Sequence, residues 1–153
     1  MRLTGAWAAK QGGMMINITV LTLIVFLLPM FYLLLAAPAF LFVRLDVLQV
    51  ARLLRAMFFG YFVALIAVGA VAAALNALGG HLFPALIVGL ITLFVVVWRY
   101  WIMRKMDAAL ADIQSGPQAA APRMRQLHWM VMATNALQIA AVIGLIPRLV
   151  VSV

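Results

Sequence analysis

The sequence predicts an all-α, polytopic membrane protein whose four transmembrane helices form a single bundle. The first sign is a set of four apolar stretches without Lys, Arg, Asp or Glu, at 12–43, 56–80, 82–98 and 126–147. A bilayer core of about 30 Å is crossed by roughly 20 apolar helical residues, so each stretch spans it, the third with help from the aromatic interface behind it. The second sign is composition. Because 69% of only 153 residues are hydrophobic and the mean hydropathy is +1.20, no soluble domain fits.

We predict the helices at about 14–43, 56–78, 82–103 and 126–147, within one membrane domain of residues 1–153. The first is a retained transmembrane helix, because the apolar run 16–36 is longer than the roughly 7–15 residues of a signal-peptide core. Pro29 and Pro38 each remove a backbone hydrogen bond, so this helix is expected to kink or to end early.

Small residues recur at helical spacing in the second helix. Gly60 and Ala64, and then Gly69 and Ala73, lie on common faces. Small residues let helices approach closely in lipid, where van der Waals packing replaces the hydrophobic effect. The sequence leaves open whether they pack within this chain or against a partner. The preceding loop, 44–55, is itself compatible with a helix and is expected to lie along the membrane surface.

An aromatic and basic belt follows the third apolar stretch. Rings and cations at the end of a span anchor it at the headgroup level. The apolar stripe of Met106, Leu110 and Ile113 predicts that the third helix continues into the cytoplasm, until the Ser-Gly-Pro sequence at 115–117 stops it. A flexible linker is expected over 114–122. The residues predicted to anchor the chain at the membrane surface are Arg52, Arg55, Trp98, Arg99, Trp101, Arg104 and Lys105.

The fourth helix is the most polar of the spans. At about 100° per residue, one face of it carries a polar stripe, with Thr134 at the margin. Amides and imidazoles are costly in hydrocarbon unless they are satisfied, so this face must meet other helices, a cavity or a bound group. The residues on the face are Met124, His128, Val131, Asn135, Gln138 and Val142.

The basic residues predict the orientation. Eight of them flank the two large loops, and three lie on the other side. The positive-inside rule then places both loops in the cytoplasm of a bacterium and both termini in the periplasm, in the inner membrane. The same distribution explains the net charge of +8, because cations at helix ends contact the lipid headgroups. A nucleic-acid partner is therefore not expected.

The sequence lacks the residues that several classes of protein site require. The chain has no cysteine, which excludes disulfides and thiolate metal sites. Its acids, Asp46, Asp107 and Asp112, all lie in predicted loops. A proton-coupled carrier usually holds a carboxylate inside the membrane, so that class is disfavoured. No catalytic triad or phosphate-binding glycine loop can be assembled, and we expect the protein not to be an enzyme.

His128 is the one candidate for cofactor binding. The other histidine, His81, lies in the turn at the opposite membrane face, so the two cannot share a metal within one chain. His128 alone could ligate a haem iron or a bacteriochlorophyll magnesium. It fits equally well as an interfacial histidine that forms hydrogen bonds beside Trp129. We expect no cofactor to bind through this chain alone.

Several short motifs resemble an uncharacterised bacterial family of four-helix membrane proteins, which is itself loosely similar to the copper-resistance D membrane proteins. The motifs are AAPAFLF at 36–42, LRAMFFGYF at 54–62, and LHW at 127–129 leading to TNALQ at 134–138. Where that family usually has Arg and Ser after the histidine, this chain has Trp and Met. The resemblance implies four helices and no particular activity.

The expected role is structural. A chain of 16.7 kDa with almost nothing outside the bilayer suits an accessory subunit that packs against other integral membrane subunits, in a respiratory or photosynthetic complex, for example. Two alternatives stay open: an electron-transfer protein that binds haem or pigment through His128, and a small oligomeric transporter or metal-handling protein.

Overall fold

The computed structural model describes residues 3–36, 47–115 and 117–151, and all of these residues except a short turn at 79–81 are helical. The helices are long; α2 ends just before Gly79, α4 begins at Pro117, and several of the other ends lie beside residues outside those ranges. They are α1 (Leu3–Ala36), α2 (Val47–Leu78), α3 (Leu82–Ser115) and α4 (Pro117–Val151).

The four helices pack as a bundle in cyclic order. Each packs against its neighbour in sequence, α1 also packs along α4, and α2 and α4 lie diagonally with few contacts. The most extensive packing is between α2 and α3, which a tight turn joins. Gly80 has a φ of +80°, a conformation that suits glycine, and the backbone N–H of His81 donates to the carbonyl of Asn76 at 2.9 Å.

Among the side chains that the structure describes, the core is a column of large apolar groups between the four helices. Each helix contributes residues three or four apart, as a helix with one buried face requires. Fully or almost fully buried side chains include Phe26 and Met30 from α1, Phe58 and Leu65 from α2, Val95 and Met106 from α3, and Val131 and Val142 from α4.

The outer surface is also apolar, which is unusual for a protein in water. Large side chains such as Leu35, Leu78, Leu90 and Leu137 are more than half exposed. Three helical segments are long and apolar enough to cross a membrane, at Leu48–Leu78, Leu82–Gln114 and Pro122–Gly144. A shorter apolar segment, Val20–Ala36, belongs to α1.

Several helix boundaries differ from those predicted, and local packing explains the earlier start of α2. The segment that we expected to lie separately on the membrane surface forms, from Val47 onward, the start of α2. Its apolar face continues into the core, since Ala51 and Leu54 are both buried. The predicted start of the first helix at residue 14 also differs, because α1 begins at Leu3; its predicted end at residue 43 lies outside the described residues.

A further difference is at the predicted linker 114–122. Instead, α3 runs to Ser115, as its apolar stripe predicted, and α4 begins at Pro117. Proline suits the first position of a helix, where its fixed φ is helical and its missing N–H has no partner to lose. The alanines at 119–121 have the highest helix propensity and extend the segment.

Candidate functional site

Six polar side chains are buried in the described part of the bundle. Their cost in an apolar interior depends on whether they form hydrogen bonds. They are Thr22, Asn76, Thr92, His128, Asn135 and Gln138.

Asn135 is the centre of the polar core and is only 1% exposed. Its Nδ2 donates to the backbone carbonyl of Met30 in α1 at 2.9 Å, and its Oδ1 accepts from the Tyr61 hydroxyl of α2 at 2.8 Å. A carbonyl oxygen has two lone pairs, so that of Met30 can accept a side chain besides a helical N–H. One amide on α4 thus ties three helices together.

A second polar contact joins α1 and α2 near the turn. Asn76 Nδ2 donates to Thr22 Oγ1 at 2.9 Å and to the carbonyl of Ala72 at 2.8 Å. Its Oδ1 is buried without a hydrogen-bond partner among the described residues. The two asparagine contacts lie at different levels of the bundle, so they fix the rotation of α1 at two points.

The polar face predicted for α4 is buried as a unit. Met124, His128, Val131, Asn135, Gln138 and Val142 all lie in the core, and Thr134 is half-buried at the margin. The face therefore meets the other helices of this chain. Of its polar members, Asn135 forms interhelical hydrogen bonds and His128 packs against rings.

His128 is 2% exposed, and its surroundings are mostly aromatic. Its ring centre lies 5.7 Å from that of Phe58 and 6.2 Å from that of Trp129. Nδ1 is buried and has no hydrogen-bond partner within the described ranges. The hydrogen-bonded interfacial histidine that we considered is thus not seen at this nitrogen. His81 lies in the turn just before α3, whereas His128 lies on α4 towards the other end of the bundle. The two rings therefore cannot share a ligand.

The described residues form an apolar groove and hold no cluster of metal-binding side chains. No group of three or more His, Asp or Glu side chains there could hold a metal ion. An apolar groove of about 350 Å³ opens between α1 and α2, lined by residues including Leu21, Ala67 and Leu75. His128 does not line this groove, so a group ligated by His128 would need other space.

The small residues predicted to pack divide into two sets. Gly69 is buried, and a Cβ there would lie 2.9 Å from Phe26 Cε2 and 3.2 Å from Thr92 Cβ, so glycine permits a close approach of α1 and α3. Ala73 is half-buried. Gly60 and Ala64 instead face outward, and a Cβ at Gly60 would meet no atom within 4 Å.

The aromatic and basic belt on α3 is an ordered ladder of rings. Trp98 is stacked between Phe94 and Trp101, with ring centres 5.8 and 5.1 Å away. Lys105 Nζ lies 5.8 Å from the centre of the Trp101 ring, and the Arg104 guanidinium lies 5.5 Å from the centre of the Tyr100 ring. The predicted anchors on α3 thus hold one another in place.

The remaining cations differ in their partners. Arg55 forms a two-point ion pair with Asp107, with Nη2 donating to Oδ2 at 3.2 Å, and Arg52 is exposed. Arg123 pairs with Asp112 at 2.8 Å. The Arg99 guanidinium lies over the Phe59 ring, 4.9 Å from its centre.

Sequence reasoning missed the partners in these contacts. Tyr61 was not singled out, although it is the one hydroxyl-bearing side chain in the apolar stretch 56–80 and such a group needs an acceptor. Asn76 and the pairing of Arg55 with Asp107 were also missed. Each pair joins residues of two helices that are more than 50 positions apart in sequence.

No protein-family model, curated protein or solved structure matches this chain. The resemblance to the four-helix family stays a prediction. The chemistry of the site is therefore that of its own side chains: amides and hydroxyls that hydrogen-bond to one another, one buried imidazole, and cations held over aromatic rings.

Proposed function

We propose that this chain is a four-span protein of the bacterial inner membrane that serves as an accessory subunit, packing against other integral membrane subunits of a respiratory or photosynthetic complex. One observation carries the proposal: a continuous row of small residues on α2 is exposed in the described part of the bundle, and one of them, Ala67, also lines the groove beside α1. This row is called the small-residue face, and its members are Ala56, Gly60, Ala64, Ala67, Ala70, Ala74 and Ala77, all exposed.

The spacing of the small-residue face suits a helical partner. Its members recur about every 3.5 residues, the interval at which a helix keeps one seam against a neighbour in a left-handed supercoil. In hydrocarbon such a seam is stabilised by van der Waals contact between closely approaching backbones. The face runs along α2 for the length of a membrane crossing, so a transmembrane helix is the partner that matches it.

A second row of small residues lies on the outer side of α4. Ala136, Ala140 and Gly144 are exposed, and a Cβ at Gly144 would meet no atom within 4 Å. Because α2 and α4 are diagonal in the bundle, the two rows point in opposite directions. A subunit that fits between two membrane neighbours would present such surfaces.

The interior supports the same role. The amide of Asn135 and the hydroxyl of Tyr61 bind each other and the α1 backbone, so they stabilise the bundle. Interior polar groups of a carrier or an enzyme would instead line a space for a substrate. The ring contacts of His128 are likewise those of a packed side chain.

The bundle is longer than a bilayer core, which bears on the proposed orientation. The 34 residues of α3 span about 51 Å at about 1.5 Å per residue, against a hydrocarbon thickness of about 30 Å. In the proposed orientation, the turn between α2 and α3 lies on the periplasmic side. The part of α3 that exceeds the hydrocarbon thickness then extends into the cytoplasm with its basic residues. The positive-inside rule supports that orientation, with both termini in the periplasm.

A second candidate function follows from Nδ1 of His128, which has no hydrogen-bond partner in the described part of the bundle. A buried imidazole nitrogen without a hydrogen bond could ligate a haem iron or a bacteriochlorophyll magnesium. Phe58 would have to move to admit a macrocycle, because its ring lies against the imidazole. An absorption band of the purified protein that disappears in His128→Ala would favour this function over the accessory role.

Gentle-detergent purification of two glycine variants tests the accessory role. Gly60→Leu places a branched side chain on the small-residue face, and Gly89→Leu makes the same change on α3, where a Cβ also meets nothing within 4 Å. We expect wild type and Gly89→Leu to co-purify with the same membrane subunits and Gly60→Leu to lose them. A wild-type chain that purifies alone, or a Gly60→Leu variant that keeps its partners, would contradict the proposal.

A further inference from the structure

Arg99 is a half-buried cation without a carboxylate partner in the described part of the chain. Asp107 is engaged by Arg55, and Asp112 by Arg123. The remaining acid of the sequence, Asp46, lies outside the described residues. A guanidinium that is partly removed from water is costly unless an anion compensates it.

The neighbours of Arg99 cover only part of its guanidinium, so the rest of the group is available to an anion. Its Nε is enclosed and has no hydrogen-bond partner among the residues that the structure describes, and the group lies over the face of the Phe59 ring of α2. Nε and the ring occupy the inner edge and one face. The two terminal nitrogens are therefore the donors that an external group can reach.

The level of Arg99 in the bundle identifies the kind of anion. Its immediate neighbours are Trp98, Tyr100 and Trp101, and rings of this kind gather where lipid headgroups meet hydrocarbon. The indole Nε1 of Trp98 is a second buried donor that lacks a partner among the described residues. Two unsatisfied donors thus lie in the segment that the aromatic belt predicts to be at the headgroup level.

We propose that Arg99, between α2 and α3, binds the phosphate of an anionic phospholipid. A guanidinium presents two parallel N–H groups that match two phosphate oxygens, and a charge-assisted pair of this type is stronger than a neutral hydrogen bond. The exposed ring of Phe59 offers an apolar surface to the start of the lipid chains. This inference rests on the membrane location given under Proposed function, and it does not depend on the accessory role.

Arg104 is a matched control on the same helix. Its guanidinium also lies against an aromatic ring, and Arg104→Gln changes the net charge by the same amount as Arg99→Gln. It differs in that its side chain is exposed and its Nη1 contacts the Tyr100 hydroxyl at 3.4 Å. Loss of general surface charge would affect both variants equally, whereas loss of the proposed site would affect Arg99→Gln alone.

The test measures lipid retained by the purified full chain. Protein delipidated in detergent is incubated with phosphatidylglycerol, with zwitterionic phosphatidylcholine, or with inorganic phosphate, and bound lipid and the unfolding temperature are then measured. We expect phosphatidylglycerol to be retained by wild type and by Arg104→Gln, and to raise the unfolding temperature of both. Arg99→Gln should retain about tenfold less, the change that corresponds to loss of about 1.4 kcal/mol of binding free energy. Inorganic phosphate should raise none of the unfolding temperatures.

Several results would overturn the inference. These are equal retention by wild type and Arg99→Gln, equal losses in both arginine variants, or stabilisation by inorganic phosphate to the same degree as by lipid. If Arg99→Gln does not fold, Arg99→Lys decides, because it keeps the charge but not the paired donors; retention at the wild-type level would refute the proposal. Asp46→Asn should leave retention unchanged, and a large increase would identify Asp46 as the real partner of Arg99.

Extraction of membranes with alkaline carbonate tests the membrane location separately. A chain that stays in the membrane but binds no phosphatidylglycerol contradicts the lipid site alone. A chain that is extracted contradicts the membrane location, and with it the inference.

Discussion

Replacement of Asn135 by leucine tests whether the polar core holds the bundle together. The substitution keeps the volume similar and removes both interhelical hydrogen bonds, one to the carbonyl of Met30 and one from the hydroxyl of Tyr61. It also leaves the Tyr61 hydroxyl buried without its acceptor. The matched control is Leu137→Ala, because Leu137 is on the same helix but is 72% exposed.

The size of the effect follows from these contacts. Interhelical hydrogen bonds in membrane bundles contribute about 0.6 kcal/mol on average. A buried polar group that loses its partner costs about 1–3 kcal/mol. We take the cost of the stranded Tyr61 hydroxyl at the lower end of that range. Together with the two lost hydrogen bonds, it lowers the free energy of unfolding by about 2 kcal/mol. Leu137→Ala should change it by less than about 0.5 kcal/mol.

A double-mutant cycle with Tyr61→Phe shows whether the two residues interact. Phenylalanine removes the hydroxyl that Asn135→Leu strands, so the double variant should lose about 1–2 kcal/mol less than the sum of the two single variants. Reversible unfolding in mixed detergent and denaturing-surfactant micelles, followed by circular dichroism, provides the measurement. Strictly additive losses, or a loss in Asn135→Leu no larger than in the control, would refute the assigned hydrogen bonds.

Three further outcomes are expected. Gly69→Ala should lower the free energy of unfolding by about 1–3 kcal/mol because its Cβ would crowd Phe26 and Thr92, whereas Gly60→Ala, in open space, should not; equal effects would contradict the packing. In a double-mutant cycle measured by the same unfolding assay, the exposed pair of Arg55 and Asp107 should show a coupling below about 1 kcal/mol, and a much larger value would mean that the pair is shielded from solvent. A cysteine at the exposed position Gln114 should resist a membrane-impermeant thiol reagent in intact cells and react after lysis, and labelling in intact cells would reverse the proposed orientation.

The sequence was most informative where a single helix determines the answer. The buried face of α4 follows from its periodicity alone, and so does the continuation of α3 along Met106 and Ile113. The start of α4 at Pro117 did not follow, because proline and a neighbouring glycine read equally well as a turn or as a helix start. Local signals of that kind are resolved by the packing of the adjoining segments.

Contacts between helices could not be predicted from the sequence, because they depend on how each helix is rotated about its axis. Gly60 and Gly69 lie in similar small-residue patterns, yet one faces outward and the other lies in the core. The partners Tyr61 and Asn135 lie on helices that adjoin only across the bundle diagonal. The periodicity of α2 or of α4 alone cannot reveal that pairing.

Photocrosslinking from the small-residue face in native membranes tests the central claim most directly. A photoreactive amino acid at Ala64, on the exposed side of α2, should yield an adduct with another integral membrane protein, and the same group at Leu90, exposed on α3, should not yield that adduct. A specific adduct from Ala64 is the result that the accessory role predicts. Adducts with lipid alone, with a second copy of the chain alone, or with the same protein from both positions would contradict it.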